Sequence, residues 1–352
     1  MDSKYFIRCK IQELRSDLLN AKVKNKTIAM KRIIANMTLG NDMAPLFNDI
    51  LNQYCVSSLD FKKMIFLYLV NYAVIRPDLA ILSIPFLLKD LSDSNPLVRA
   101  LALRTMSYIN VDKFIQSLAD FLTCCFSDPD NLVTKTACIA IAKLHSYESA
   151  VVSSLVDILR NTINHENPQV IANACAALVD IQGTSKTFNF TLDVTDTSKL
   201  IIAMNESTEW GQVYILEALM FNVPDNHLDA EILIERVFSR LSHSNAAVTL
   251  TAVKLVLYLL NYIADIKIVE NYFKKIEAPI VSLLHNKPEI QYVTLRNILL
   301  IIQKYPSFLS TQVRVFFCKY NDPIYVKLTK LEVIFKLTNN ENIDIVLPEL
   351  SE

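Results

Sequence analysis

Glycine is nearly missing, with 3 in 352 residues, where average usage would place roughly 25. Tight hairpin turns and phosphate-cradling loops lean on glycine's access to positive φ. Strand-rich folds and nucleotide loops are therefore disfavoured, and an all-helical chain is expected. "GTSKT" from Gly183 looks superficially like a phosphate loop but lacks the earlier glycine of G-x-x-x-x-G-K-[ST], so it reads as a linker. The seven cysteines (Cys9, Cys55, Cys124, Cys125, Cys138, Cys175, Cys318) form no C-x-x-C pair. Cys138 and Cys175 fall inside apolar helical patterns as small buried hydrophobes, and the usage fits a reducing, cytosolic compartment. Long hydrophobic runs are lacking too: "MIFLYLVNYAVI" from Met64 is interrupted by Asn71, well short of the ~20 residues a bilayer requires. "MDSKYFIRCK" at the start has no hydrophobic signal core, so secretion is not expected. Neither sign of charge dominates, at 35 Lys and Arg against 36 Asp and Glu; without a positive surplus, no nucleic-acid partner is expected.

What the chain has instead is hydrophobic residues, 52% of the total, and a mean hydropathy of +0.27. Helices this apolar must be buried on more than one side. They also begin alike. "SDSNPLVRALALRTM" (from Ser92), "SDPDNLVTKTACIAIAKL" (Ser127), "NHENPQVIANACAALVDI" (Asn164), "SHSNAAVTLTAVKLVLYL" (Ser242), "HNKPEIQYVTLRNILLII" (His285) and "YNDPIYVKLTKLEVIFKL" (Tyr320) each open on short polar residues. Most pass through proline and continue as an amphipathic run. Asn or Asp can accept from the first free N–H groups, and proline at the first helical position loses no bond it would otherwise make. "SLDFKKMIFLYLVNYA" (Ser58) and "STEWGQVYILEALM" (Ser207) are copies with weaker entrances.

The first core residues of these copies are read as Phe61, Val98, Val133, Val170, Val213, Val248, Ile290 and Tyr325, spaced by 37, 35, 37, 43, 35, 42 and 35. A period of that size, with a second apolar helix before each next anchor, is the signature of a HEAT or armadillo array. After Pro96, Val98, Leu101, Ala102, Thr105, Met106 and Ile109 follow i, i+3, i+4, i+7, while Leu97 and Leu103 make a second face apolar. Such a helix must be sandwiched between neighbours, and Ala102 and Ala140 predict close helix contacts. Asp93 and Arg99 are expected to form an inter-repeat polar ladder. One continuous array over 1–352 is expected, with a flexible segment at 1–10.

No convergent catalytic group stands out. The histidines (His145, His165, His227, His243, His285) are scattered. A HEAT-like metal hydroxylase would need several His-Glu pairs, and the chain has His165-Glu166. Repeat pattern alone fits other HEAT scaffolds as well, such as a nuclear-transport receptor or a phosphatase regulatory subunit.

More specific strings narrow this. "KYFIRCKIQELRSDLL", "NMTLGNDMAPLF", "LYLVNYA", "NPLVRALALRTM", "INVDKF", "ESTEWGQVYILEALM", "LSHSNAAVTLTAVK", "EIQYVTLRNILLIIQKYP" and "VFFCKYNDPIYVKLTKLEVI" resemble β-adaptin, the large β subunit of the heterotetrameric clathrin adaptor complexes, in order from about Ser3 to Leu350. The resemblance implies a right-handed α-solenoid of HEAT/armadillo-like repeats without a sheet. It also implies a non-catalytic trunk, without cofactor, that curls around the medium subunit and assembles with a second large and a small subunit. Such complexes select transmembrane cargo and recruit clathrin on cytosolic membranes, at the trans-Golgi and endosomes or at plasma-membrane coated pits. The family trunk continues past the position matching Glu352 into a hinge with a clathrin-binding box and an appendage. These are expected to be absent, so clathrin is a partner only if the hinge is supplied.

The resemblance also implies three sites. Tyr5 and Phe6 match an aromatic pair that plugs the acidic dileucine cargo pocket of the small subunit in the closed state. Lys22, Lys24, Lys26, Lys31 and Arg32 match a basic cluster that faces phosphoinositide headgroups. Ile81 and Ile84 match apolar positions where an activated Arf-family GTPase docks, and Pro85 behind them is expected to disturb the helix. Each site has a plainer alternative: Phe6 packing the first helix, a solvated basic face, and a buried isoleucine stripe.

Overall fold

A computed structural model of the chain describes residues 5–6, 10–20, 22–54, 58–185 and 188–351. The chain divides into two compact units, Met1–Phe190 and Thr191–Glu352. The first contains α1 (Ile11–Leu18), α2 (Val23–Thr38), α3 (Phe47–Leu51), α4 (Leu59–Ala73), α5 (Pro77–Ile81), α6 (Ile84–Leu91), α7 (Pro96–Tyr108), α8 (Asp112–Phe126), α9 (Asn131–Tyr147), α10 (Ser149–Asn161) and α11 (Pro168–Thr184). The second contains α12 (Val194–Glu206), α13 (Glu209–Leu219), α14 (His227–Phe238), α15 (Ala246–Leu259), α16 (Ile266–Leu283), α17 (Pro288–Lys304), α18 (Ile324–Leu337) and α19 (Ile343–Ser351). Among the described residues there is no strand; Leu192 and Asn222 make one isolated bridge. Each unit is a stack of helix pairs, the all-α solenoid architecture that the repeat period predicts. In the first, α4 packs on α7, α7 on α9 and α9 on α11; in the second, α13 packs on α15 and α17 on α18.

The repeated entrances work through hydrogen bonds. Asn95, Asp130, Asn167 and Asn245 each cap a helix by accepting an N–H two residues on, at 2.8–3.0 Å. Ahead of each cap, a second side chain accepts the cap's own N–H: Asp93, Asp128, His165 and His243, the histidines through Nδ1. His165 and His243 are therefore turn residues. α18 starts differently. Pro323 is itself the cap residue and has no side-chain bond, while Asp322 accepts from the Lys319 N–H at 2.9 Å and from Lys330 Nζ at 2.6 Å.

Aligning the repeat helices by their first residue corrects two anchors. The third residue is Phe61, Val98, Val133, Val170 and Val248 in five copies, all buried. In α13 it is the buried Gly211, not Val213, and in α18 it is Val326, fully buried, whereas Tyr325 is 43% exposed. Ile290 of α17 is half-buried. The next residue reaches back to close the turn in five copies: Arg99 to Asp93 O, Gln212 to Ser207 O, Thr249 to His243 O, Gln291 to Asn286 O and Lys327 to Tyr320 O. The eighth residue runs Phe66, Leu103, Cys138, Cys175, Leu216, Val253 and Leu295 from α4 to α17, none more than 2% exposed. Burial in that row pushes the Cys138 thiol up to about 12, and both cysteines behave as small hydrophobes.

Asp93 and Arg99 both take part in a polar ladder between repeats, each with a partner from another copy. Arg99 grips Asp128 of the following turn through two bonds of 2.8 Å, and only the backbone carbonyl of Asp93. Burial would raise the Asp128 carboxyl, but the Arg99 bonds and the Asp130 N–H hold it below its ordinary value. One copy earlier, Lys62 takes the same position and pairs with Asp90 at 2.7 Å and Asp93 at 3.9 Å. Later copies carry Thr134 and Ile171 there, and the ladder stops.

Two of the strings that carry the resemblance form joints within the first unit. Gly40 at φ 83 ends α2; its N–H bonds Met37 O, and the Asn41 N–H bonds Asn36 O, the paired closure that favours glycine after a helix. Tyr72 OH accepts the Met43 N–H, and Tyr68 OH donates to Met43 O, each at 2.8 Å. "LYLVNYA" thus holds "NDMAP" in place. Between α17 and α18 the expected second helix is a 3-10 stretch, Ser310–Phe316, entered through Leu309 at φ 59. Thr311, Val313 and Val315 are weak helix formers there.

Candidate functional site

α2 and the segment before it bring two of the three expected sites together. Lys31 Nζ lies 5.5 Å from the centre of the Tyr5 ring, within range of a cation–π attraction worth about 0.5–1 kcal/mol at an exposed site. Phe6 beside it is exposed. The remainder of the 1–10 segment, except Lys10, lies outside the described residues.

The five basic residues do not share one face. Lys24 and Lys31, seven apart, stand on the same side of α2 and are exposed, as is Lys22 at its entrance. Lys26 turns toward α3 and donates to Gln53 Oε1 at 2.7 Å. Arg32 lies 3.5 Å from Asp17 of α1, and its Nε is buried without a hydrogen bond among the described residues. The open positive surface is Lys22, Lys24 and Lys31; Lys26 and Arg32 serve mainly to fasten the helix. Sequence position could not separate the two groups, because their acceptors come from elsewhere in the fold, Gln53 from the turn after α3 and Asp17 from α1.

Ile81 and Ile84 sit elsewhere, across a break. α5 ends at Ile81, Ser83 donates to Ala80 O at 2.6 Å, and α6 restarts at Ile84 with Pro85 in its first turn. Both isoleucines are half-buried, whereas Leu82 between them, Phe86, and Val74 and Ile75 at the end of α4 are exposed. The water-facing apolar surface here is thus centred on neighbours that the sequence did not single out. Trp210 of α13, the chain's one tryptophan, is also largely exposed.

In the second unit, α15 and α17 flank a groove of about 420 Å³, lined by Leu250, Leu257, Leu300 and Ile301 and edged by Lys254 and Lys304. It offers apolar area and positive charge but no nucleophile–base pair. Among the described residues, no three His, Cys, Asp or Glu side chains converge to hold a metal, and no helix is long and apolar enough to cross a membrane.

Comparison with known proteins gives these surfaces a context. The family described as Adaptin N terminal region matches residues 4–352. The AP-1 complex subunit beta-1 of Mus musculus is 44% identical over 359 residues, covering 100% of this chain and 38% of its own; the Homo sapiens protein has the same values. The AP-2 complex subunit beta of Schizosaccharomyces pombe is 40% identical over 335 residues, covering 94% of this chain and 50% of its own. The chain thus spans between 38% and half of these relatives. A full-length AP-3 complex in an intermediate open conformation, itself a homology model, shares the fold at TM-score 0.63 and 20% identity, over 97% of this chain and 60% of that one. Repeat period, helix stacking and identity along the whole chain agree: the protein belongs to the adaptin family, and within it to the β subunits.

Proposed function

We propose that the chain acts as the non-catalytic β subunit of a clathrin-associated adaptor complex, scaffolding cargo selection and coated-vesicle formation at the cytosolic face of membranes. The observation that carries this reading is 44% identity to AP-1 β subunits over the whole chain. The helix stacks add physical support: they present apolar grooves edged by charge, suited to gripping other polypeptides. Partners on this reading are the medium, small and second large adaptor subunits. Co-precipitation from cells, followed by identification of the bound chains, tests it. Recovery of a medium and a second large subunit is the expected result; recovery of a phosphatase catalytic chain or a Ran-like GTPase would replace it.

Three finer roles belong to the same proposal. Tyr5 and Phe6 plug the cargo pocket, and Tyr5→Ala with Phe6→Ala raises dileucine-peptide affinity of the assembled complex; unchanged affinity refutes the plug. Lys22, Lys24 and Lys31 meet phosphoinositide headgroups, each charge being worth ~1 kcal/mol near an anionic surface. Charge reversal at Lys24 and Lys31 then lowers sedimentation with phosphoinositide liposomes, and equal pelleting counts against the contact. Ile81 and Ile84, with Leu82 exposed between them, form part of the Arf-family GTPase contact. The two units belong to one array in this reading.

A further inference from the structure

We propose that the groove between α15 and α17 is a docking site for a short acidic peptide of a partner protein, bound in extended form. The groove exists because the stack opens there. Within each unit, the helices that open consecutive copies pack on one another, as α7 does on α9, α9 on α11, α13 on α15 and α17 on α18; α15 and α17 scarcely touch. Their parting leaves a space of about 420 Å³ that reaches Ile280 of α16 behind them. Val253, Ile280 and Ile298 form its buried floor, and Leu300 on the rim is 64% exposed. Each flanking helix has a packed neighbour on its far side, α13 for α15 and α18 for α17, so the gap lies within the unit and not at its edge.

Charge and register then describe the occupant. Lys254 and Lys304 edge the groove, and no carboxylate lines it. Both lysines are exposed, and neither makes an ion pair among the described residues. Lys304 Nζ donates to Asn261 Oδ1 and lies 5.4 Å from the centre of the Tyr305 ring. These neutral partners fix its position and leave its charge uncompensated, so the complementary ligand is an anion. Lys254 is the ninth residue of α15 and Lys304 the seventeenth of α17, and the Lys304–Asn261 bond sets the two helix ends side by side. Eight residues of helical rise therefore separate the charges, about 12 Å along the groove. A strand advances about 3.3 Å per residue and turns alternate side chains to one face. Carboxylates four residues apart thus meet both lysines, and the side chain midway between them enters the groove. A helix is too large: roughly 10–12 Å across, it fills about 1000 Å³ over that length, more than twice the space. Asn297, half-buried in the wall, bonds Val293 O through Nδ2 and keeps Oδ1 for a peptide N–H, a group that a lipid tail does not offer.

Fluorescence anisotropy tests the proposal, with the 352-residue chain titrated into a labelled peptide whose two glutamates stand four residues apart around a phenylalanine. Saturable binding is expected, weakening as salt is raised, and the same peptide with lysines in place of glutamates is expected not to bind. Lys254→Glu and Lys304→Glu each turn an attraction into a repulsion and weaken binding about tenfold. Leu300→Ser weakens it through the apolar rim. All three side chains are exposed, so helical circular dichroism stays unchanged in each variant. Bound peptide slows hydrogen exchange in α15 and α17 of the unaltered chain. The proposal is overturned by an absence of saturable binding, by equal binding of the lysine peptide, by indifference to both charge reversals, or by protection confined to other helices. Competition by oleate at equal concentration would also overturn it and assign the groove to a lipid. Either result leaves co-precipitation of the adaptor subunits, and the function it tests, untouched.

Discussion

Lys330 is 2% exposed, a rare place for an ammonium group, and its stability there rests on Asp322 at 2.6 Å. Removing one partner of a buried pair strands the other charge, at a cost of about 3 kcal/mol, whereas replacing both with apolar groups is often neutral. Lys330→Met is accordingly expected to lower the urea midpoint by the equivalent of that cost, and adding Asp322→Leu to recover most of it. Acid acts on the same groups. Burial would raise the Asp322 carboxyl, but hydrogen bonds from Lys330 and the Lys319 N–H, with the lysine charge, hold it below its ordinary value. Asp128 is held down in the same direction by Arg99. A carboxyl with a depressed folded pKa binds its proton first in the unfolded chain, so its stabilisation is complete above about pH 4 and lost as pH falls through the folded value. Stability measured from neutral pH downward should drop below about pH 4, and more shallowly in the Lys330→Met, Asp322→Leu variant. An equal slope in both chains would exclude this pair as a source of the acid sensitivity.

At the scale of the element, helix entrances decide where each repeat begins, and the two kinds of entrance respond differently to mutation. Asn167→Ala removes the acceptor for the Gln169 N–H and is expected to cost about 1 kcal/mol. In α18 the burden falls on Val326: Val326→Ala should cost about 2 kcal/mol in lost burial, and Tyr325→Ala far less, as thermal melts of the two variants would report. Much of this was legible in sequence. Polar residues before proline or a valine run carry both the cap and the first buried position, so the helix starts follow from local chemistry. Misreading arose where locality ended. Tyr325 and Val326 are equally apolar to a periodicity argument, and only the turn of α18 against its neighbours separates them. The ladder between repeats was expected, but its partners were not: Arg99 holds Asp128 of the next copy through two parallel bonds that fit the planar guanidinium. The split of the basic cluster on α2 was likewise invisible, since Asp17 reaches it from α1 and Gln53 from the segment after α3. The missing helix before α18 left a fainter trace, in the β-branched residues from Thr311 to Val315.

At the scale of the whole molecule, the division after Phe190 gives each unit its own buried residues. Local stability in proteins comes in such cooperative blocks. Leu178 of α11 is fully buried in the first unit, and Leu178→Ala should cost about 3 kcal/mol there. Hydrogen exchange is expected to quicken across α7 to α11 while α13 to α18 keep their protection; uniform acceleration over both would mean a single cooperative block. The residue that fastens each turn from the fourth helical position is arginine, glutamine, threonine, glutamine and lysine in successive examples. Any side chain with a donor at suitable reach performs the task. Such a joint can drift in identity across an array while its geometry stays put, so a lineage of these repeats could diverge far in spelling and still be closed by the same stitch.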